Sequence, residues 1–199
     1  EAFLIGRDFI GNDNVSLILG DNIFYFPSLS SVVMPSIKKN GASIFAYHVS
    51  DPSRYGVVEL NQKNKVLSIQ EKPKKPKSNY AIPGFYFFDN NVLEYVKDLI
   101  PSARGELEIT DLIEKYHELN LLNVIKMDKG TAWLDTGTVS SLMEASQFVQ
   151  VLEKRQGLKV GCVEEQAYSK NYIDASQLKK LAKPFNNGYG KYLTSLLND

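Results

Sequence analysis

Val15-Ser16-Leu17-Ile18-Leu19-Gly20-Asp21-Asn22 carries the clearest structural signal in the chain. A short apolar run that ends abruptly in Gly-Asp-Asn is typical of a buried β-strand closed by a turn. In an open α/β sheet, ligands bind beyond the carboxyl ends of the strands. Asp21 is therefore predicted to point into a binding crevice, and Gly20 allows the backbone to turn there or a ligand to come close.

Asp21 is a candidate ligand of Mg²⁺, because this ion binds through one or two carboxylates and fills its other positions with phosphate oxygens and water. The alternative is that Asp21 and Asn22 only cap the strand. A second strand-Asp pattern, Trp133-Leu134-Asp135-Thr136-Gly137-Thr138, favours the metal interpretation. Its Thr138 is a predicted helix N-cap. Asp21 and Asp135 are thus predicted to hold one cation between them.

Composition narrows the class of protein. The 199 residues contain 23 Lys plus Arg and 23 Asp plus Glu, and this zero balance does not support a nucleic-acid or anionic-membrane surface. No apolar run approaches the ~20 residues of a membrane helix, and no secretory signal is visible. The single cysteine, Cys162, is compatible with a reducing compartment. We expect a cytoplasmic α/β protein without a membrane or nucleic-acid partner.

Strand and helix patterns alternate along the chain. Residues 29–39 have helical periodicity and residues 42–49 are rich in β-forming types, so together with the strand at 15–19 they predict a βαβ unit with a parallel pair. Residues 80–88 read as a strand with Pro83-Gly84 inside it, which predicts a bulge or a ligand approach. A later amphipathic helix is expected to bury the face formed by Leu112, Ile113, Tyr116 and Leu119.

Five motifs in this order, followed by a matching tail, resemble those of glucose-1-phosphate thymidylyltransferases of the sugar nucleotidyltransferase family. They are Leu-Gly-Asp-Asn-Ile-Phe-Tyr at 19–25, Tyr-Gly-Val-Val at 55–58, Glu-Lys-Pro at 71–73, Arg-Gly-Glu-Leu-Glu-Ile-Thr-Asp at 104–111 and Trp-Leu-Asp-Thr-Gly-Thr at 133–138. The tail matches at 155–162, 172–174 and 187–190. The resemblance covers essentially the whole chain.

The resemblance implies a Rossmann-like nucleotidyltransferase fold, with a mostly parallel mixed sheet, flanking helices and a helical C-terminal extension. The corresponding domains are a partial nucleotidyltransferase domain at 1–138 and the helical extension at 139–199. The implied activity is Mg²⁺-dependent transfer of dTMP from dTTP to glucose 1-phosphate, which gives dTDP-glucose and pyrophosphate in dTDP-rhamnose biosynthesis. The implied assembly is a homotetramer or dimer.

The resemblance also implies individual roles. Asp21 and Asp135 are expected on Mg²⁺ and Lys72 in catalysis near the sugar phosphate, while the residues expected around the sugar are Tyr55, Gly56, Glu71, Ile82 and Gly84. The residue types suit these roles, since Glu71 can accept from two hydroxyls and Lys72 supplies a positive charge. The alternative for Glu71 is an exposed charge at a strand end.

One departure from the family pattern concerns the nucleotide. Family sequences begin with a Gly-x-Gly-Thr-Arg-Leu loop, whose backbone amides hold the triphosphate, and these 199 residues contain no such loop. We therefore expect the N-terminal strands of the fold to be missing and these residues to be inactive alone. The alternative function is a non-catalytic sugar-phosphate-binding or interaction protein of the same fold.

Overall fold

The computed structural model describes residues 1–26, 33–34, 36–37, 40–102 and 105–198. The chain divides into two compact units, Glu1–Thr136 and Gly137–Asp199. Most of the helix predicted at 29–39, including Pro35, lies outside the described residues, as does Arg104 of the motif at 104–111; positions 33–34 and 36–37 are helical. Within the described ranges, no helix has the length and apolar character that crossing a bilayer requires.

The first unit is built on β-strands, which form two sheets. In chain order they are β1 (Val15–Ile18), β2 (Asn22–Tyr25), β3 (Ala42–His48), β4 (Gly56–Leu60), β5 (Val66–Glu71), β6 (Tyr80–Ala81), β7 (Phe85–Phe88), β8 (Leu122–Lys126) and β9 (Ala132–Asp135). The larger sheet has the order β1-β7-β3-β6-β4-β5, with β8 paired to β3. The smaller sheet pairs β2 with β9.

Strand directions correct the prediction of a mostly parallel sheet. Among the described strands, β3 and β8 form the one parallel pair, and every other pair is antiparallel. The βαβ prediction is right about direction, because β1 and β3 both run antiparallel to β7. It is wrong about pairing, because β7 lies between them. A local pattern does not reveal a strand that arrives from much later in the chain.

Helices of the first unit cover the larger sheet. They are α1 (Ala2–Ile5), α2 (Arg7–Ile10), α3 (Val92–Tyr95) and α4 (Ile109–Glu118), with 3-10 turns at Pro52–Arg54 and Val96–Asp98. On α4, Leu112, Ile113 and Tyr116 are buried as predicted, and the Tyr116 hydroxyl donates to Asp89 Oδ1 at 2.8 Å. Leu119 lies beyond the end of α4 and is exposed, so it does not belong to the buried face.

The predicted strand at 80–88 is interrupted at Pro83-Gly84, as expected. The chain leaves β6 at Ala81 and enters β7 at Phe85. Between them, the Gly84 carbonyl accepts from the Leu19 N–H at 2.9 Å. The interruption thus holds the turn that follows β1.

The second unit is helical. Its helices are α5 (Val139–Gln156), α6 (Val163–Ser169), α7 (Ala175–Ala182) and α8 (Gly188–Ser195). Thr138 is the N-cap of α5, where its hydroxyl accepts from the Ser141 N–H at 3.2 Å, as predicted. Cys162 is buried with Leu178, Ala182 and Leu193 in a small core, so this thiol serves as a packed side chain.

Candidate functional site

A cavity of about 210 Å³ in the first unit brings together the eight residues predicted for the site. They are Asp21, Tyr55, Gly56, Glu71, Lys72, Ile82, Gly84 and Asp135. The cavity is lined by the turn after β1, the open end of the β4–β5 hairpin, the break between β6 and β7, the start of α4 and the end of β9. Residues lining it that were not predicted are Leu19, Asn22, Arg54, Tyr86, Ile109, Thr110 and Trp133.

The two predicted metal ligands lie at the same end of the β2–β9 pair. Asn22 is opposite Asp135 in the register. One step further, the Thr136 N–H and hydroxyl donate to the Asp21 carbonyl oxygen at 2.8 and 2.9 Å. Two carboxylates form a hard oxygen donor set, which suits Mg²⁺ completed by phosphate oxygens and water. Within the described part of the chain, no cluster of three or more His, Cys, Asp or Glu side chains could hold a metal by itself.

Asn22 joins three parts of the site. Its Nδ2 donates to Asp21 Oδ1 at 2.8 Å. Its Oδ1 accepts from Trp133 Nε1 at 2.6 Å and from the Gly84 N–H at 3.0 Å. Two donors on the oxygen fix the orientation of the amide and turn its NH₂ group toward Asp21. The sequence signal for this role was a polar side chain directly after Asp21 at the start of a strand.

Gly84 makes the close approach possible. A Cβ at this position would lie 2.7 Å from the Leu19 side chain and 2.9 Å from Asn22 Oδ1. Both distances are shorter than real Cβ contacts, so a larger residue would push the turn after β1 away from the β6–β7 break.

Gly56 permits a similar close approach of its neighbours. A Cβ here would lie 3.0 Å from Thr110 Cγ2 and 3.4 Å from Glu71 Oε2. The Gly56 carbonyl accepts from the Ile82 N–H at 2.7 Å. The glycine therefore keeps the Glu71 carboxylate and the first turn of α4 close together.

Glu71 is the last residue of β5, and Lys72 follows it directly. Lys72 Nζ lies 3.8 Å from Glu71 Oε1, and the Glu71 side chain is 23% exposed. The Lys72 backbone is left-handed, with φ of 41°, and its N–H donates to the Tyr55 carbonyl at 3.0 Å. A non-glycine residue in this region costs about 1–3 kcal/mol, and such strain gathers at functional sites.

Two buried hydroxyls, of Thr110 and Tyr86, belong to the cavity lining. Thr110 Oγ1 has no hydrogen-bond partner among the described residues, so a polar ligand would relieve its desolvation. Burial raises the pKa of the Tyr86 hydroxyl well above its usual value, and the charges of Glu71 and Asp21 raise it further. Tyr86 therefore remains protonated and can donate.

The mouth of the cavity contains a cluster of charge and aromatic rings. Arg54 lies 3.6 Å from Asp135 Oδ2, and its guanidinium carbon is 5.7 Å from the centre of the Tyr55 ring. The Tyr55 ring lies 4.8 Å from the Trp133 ring. Burial raises the pKa of the Tyr55 hydroxyl, Arg54 opposes that shift, and Asp135 adds to it.

The fold and this cavity define a nucleotidyl transferase, and the model of the nucleotidyl transferase family matches residues 1–151. A glucose-1-phosphate thymidylyltransferase of Mycolicibacterium smegmatis is 52% identical over 199 residues, which are 100% of this chain and 69% of that protein. The enzyme of the same name from Xanthomonas campestris is 50% identical over 198 residues, 98% of this chain and 67% of that one. The chain belongs to the glucose-1-phosphate thymidylyltransferases within the nucleotidyl transferase family.

Solved structures agree on the α/β nucleotidyltransferase fold. A crystal structure described as a glucose-1-phosphate thymidylyltransferase from Bacillus anthracis, in complex with sucrose, matches with a TM-score of 0.65 and 42% identity. The match covers 74% of this chain and 58% of that one. A UDP-glucose pyrophosphorylase complexed with UDP-glucose matches with a TM-score of 0.65 at 23% identity, a likeness of fold alone.

Proposed function

We propose that this chain forms the sugar-phosphate-binding and metal-binding part of a glucose-1-phosphate thymidylyltransferase. The proposed reaction transfers dTMP from dTTP to glucose 1-phosphate and releases pyrophosphate. The observation that carries the proposal is the convergence of the eight expected residues on one cavity, in a chain that is 52% identical to an enzyme of that name.

Sugar recognition is proposed for the inner part of the cavity. The Glu71 carboxylate, held beside Gly56, would accept hydrogen bonds from two sugar hydroxyls. The protonated Tyr86 hydroxyl offers a further polar contact, as does the Thr110 hydroxyl, which has no partner among the described residues. A charged acceptor and two hydroxyl groups that line a small cavity give specificity for a polyol, since a missing sugar hydroxyl would leave them unpaired.

Phosphate recognition is proposed for Lys72. Its ammonium group lies at the strand end beside Glu71, and the Lys72 side chain is 48% exposed. The side chain can therefore move to contact a phosphate while the Lys72 N–H keeps its hydrogen bond to the Tyr55 carbonyl. In the reaction, an oxygen of glucose 1-phosphate attacks the α-phosphorus of dTTP, the bond to the pyrophosphate oxygen breaks, and its electron pair leaves with pyrophosphate. Such a displacement needs positioning and charge neutralisation rather than a protein nucleophile.

Asp21 and Asp135 are the residues that would hold Mg²⁺ in this proposal. The bound ion would neutralise negative charge on phosphate oxygens during the transfer. The chain's own contribution is to keep the two carboxylates at one end of the β2–β9 pair, through Asn22 and Thr136.

The resemblance also supports finer proposals about the setting of the reaction. They are a cytoplasmic location, a place in dTDP-rhamnose biosynthesis, the absence of nucleic-acid and membrane partners, a division into a nucleotidyltransferase part at 1–138 and a helical extension at 139–199, and assembly as a homotetramer or dimer. The lone Cys162 fits a reducing compartment. Sedimentation analysis of the purified chain tests the assembly.

Calorimetric titration of glucose 1-phosphate into the chain tests the proposal. Replacing Glu71 with Gln keeps the shape but removes the charge, and we expect an affinity loss of roughly 10- to 100-fold, because hydrogen bonds to charged groups are the stronger class. The matched control is Glu114→Gln, which makes the same change at an exposed position of α4. Equal losses in both variants would reject the assignment, and affinity indifferent to Mg²⁺ would favour the non-catalytic alternative.

A further inference from the structure

Arg54 is a cation that already lies beside one of the two proposed metal ligands. Its Nη2 is 3.6 Å from Asp135 Oδ2, and the side chains are 48% and 19% exposed. The guanidinium group also packs over the Tyr55 ring, with its carbon 5.7 Å from the ring centre. Together these contacts hold positive charge against Asp135.

The backbone under Arg54 is firmly anchored. Arg54 ends the 3-10 turn Pro52–Arg54, and the Asp51 carboxylate caps that turn by accepting from the Ser53 N–H at 3.1 Å and the Ser53 hydroxyl at 2.6 Å. The Tyr55 N–H closes the turn on the Pro52 carbonyl at 3.1 Å. The start of the side chain is therefore fixed, while its half-exposed end is free to leave Asp135 without disturbing the fold.

We propose that Arg54 competes with the divalent cation for Asp135. The inference rests on the proposed function, in which Asp135 is a metal ligand. A guanidinium group beside the Asp135 carboxylate occupies part of its acceptor capacity and repels a divalent cation that approaches the same group. Arg54 therefore neutralises Asp135 while the cation is absent and turns away when the cation binds.

The consequence is a site that holds free cation weakly. Two carboxylates alone leave most of the coordination of Mg²⁺ to water and phosphate oxygens. With Arg54 opposing one of them, the cation is retained mainly when substrate phosphates supply additional ligands. Arg54 thus couples metal binding to substrate binding.

The competition predicts that the affinity for the cation changes in the opposite direction to that expected if Arg54 were only a structural residue. Removal of Arg54 should tighten cation binding, whereas loss of a structural support would loosen it. An ion pair of this exposure is weak, so we expect Arg54→Gln to raise the association constant for the cation by roughly two- to fivefold.

The test is a titration of the 199-residue chain with Mn²⁺ alone, followed by Trp133 fluorescence. Trp133 is the single tryptophan of the sequence, it precedes Asp135 by two positions, and its indole N–H bonds to the Asn22 amide beside Asp21. A paramagnetic ion at the two carboxylates would quench its emission. Asp135→Asn should abolish this quenching.

Two variants distinguish the local effect of Arg54 on Asp135 from the effect of removing a positive charge anywhere in the chain. Arg155→Gln removes the same charge from α5 in the second unit and should leave Mn²⁺ affinity unchanged. Arg54→Lys keeps the charge but not the planar group that packs on Tyr55, so it should give an intermediate affinity. Circular dichroism of each variant verifies that the fold is retained.

The proposal is overturned if Arg54→Gln binds Mn²⁺ no more tightly than the unmodified chain, if Arg155→Gln gives the same gain, or if Arg54→Lys, which keeps the charge, binds Mn²⁺ as tightly as Arg54→Gln. Absence of Mn²⁺ quenching in every variant also overturns it. That result would leave sugar-phosphate binding and its loss in Glu71→Gln untouched, so failure of this inference is distinguishable from failure of the proposed function.

Discussion

Replacing Asn22 with Ala should destabilise the first unit, because its side chain makes three hydrogen bonds. The change removes the acceptor of both the Trp133 indole N–H and the Gly84 N–H, at 2.6 and 3.0 Å, and the donor to Asp21 at 2.8 Å. Trp133 is only 9% exposed, so its N–H would not regain a full water contact. An unsatisfied buried donor costs about 1–3 kcal/mol.

With two donors left unpaired in a partly buried site, we expect the free energy of unfolding to fall by about 2–4 kcal/mol. Urea unfolding followed by Trp133 emission measures this directly, because the single tryptophan reports on the first unit alone. Asn12→Ala is the matched control at an exposed turn, where we expect a change within about 0.5 kcal/mol. Equal losses for the two variants would refute the assignment of Asn22 as the link between the strands.

Three further outcomes are expected. Gly84→Ala should lower the free energy of unfolding by about 1–3 kcal/mol, because the added Cβ would lie 2.7 Å from the Leu19 side chain. The control is Gly20→Ala, whose Cβ would have open space around it, and this variant should be nearly neutral in the same urea experiment. Burial, and then the hydrogen bond to Glu165, raises the pKa of the Tyr192 hydroxyl to about 12. The stability that this hydroxyl contributes is therefore complete below pH ~10 and is lost as the pH rises through ~12. Tyr192→Phe should make the loss of helical circular dichroism at alkaline pH less steep. These 199 residues should release no pyrophosphate from dTTP and glucose 1-phosphate, because they contain no Gly-x-Gly-Thr-Arg-Leu loop to hold the triphosphate in line, and release above background would contradict this.

Asp21 and Asp135 were predicted as site residues from their local sequence patterns, whereas Lys72 and the residues expected around the sugar were implied by the family resemblance. A carboxylate directly after an apolar run, as in Asp21 and Asp135, marks the end of a strand whatever the rest of the fold does. The same reasoning anticipated the break at Pro83-Gly84, since proline removes a ladder donor. Each of these inferences needs only a few neighbouring residues.

Residues missed from the sequence act through partners far away along the chain. Asn22 matters because Trp133, separated from it by 111 positions, donates to its side chain. Arg54 belongs to the site because Asp135 lies beside it. Thr110 belongs to it because Gly56, which has no side chain, lets the two residues come close together. The antiparallel character of the larger sheet was hidden for the same reason, since β7 separates β1 from β3.

The β2–β9 pair connects the stability of the first unit to its proposed chemistry. A two-stranded ribbon is marginal by itself, so it must be held from outside. Contacts outside the ribbon are the Gly84 N–H on the Asn22 side-chain oxygen, the Tyr47 and Tyr55 rings against Trp133, and the Phe85 ring, which lies 5.5 Å from the Phe24 ring. Because Asp135 ends β9 and Asp21 directly precedes β2, a substitution that loosens the ribbon should weaken cation binding as well as folding. Asn22→Ala and Arg54→Gln should therefore move Mn²⁺ affinity in opposite directions.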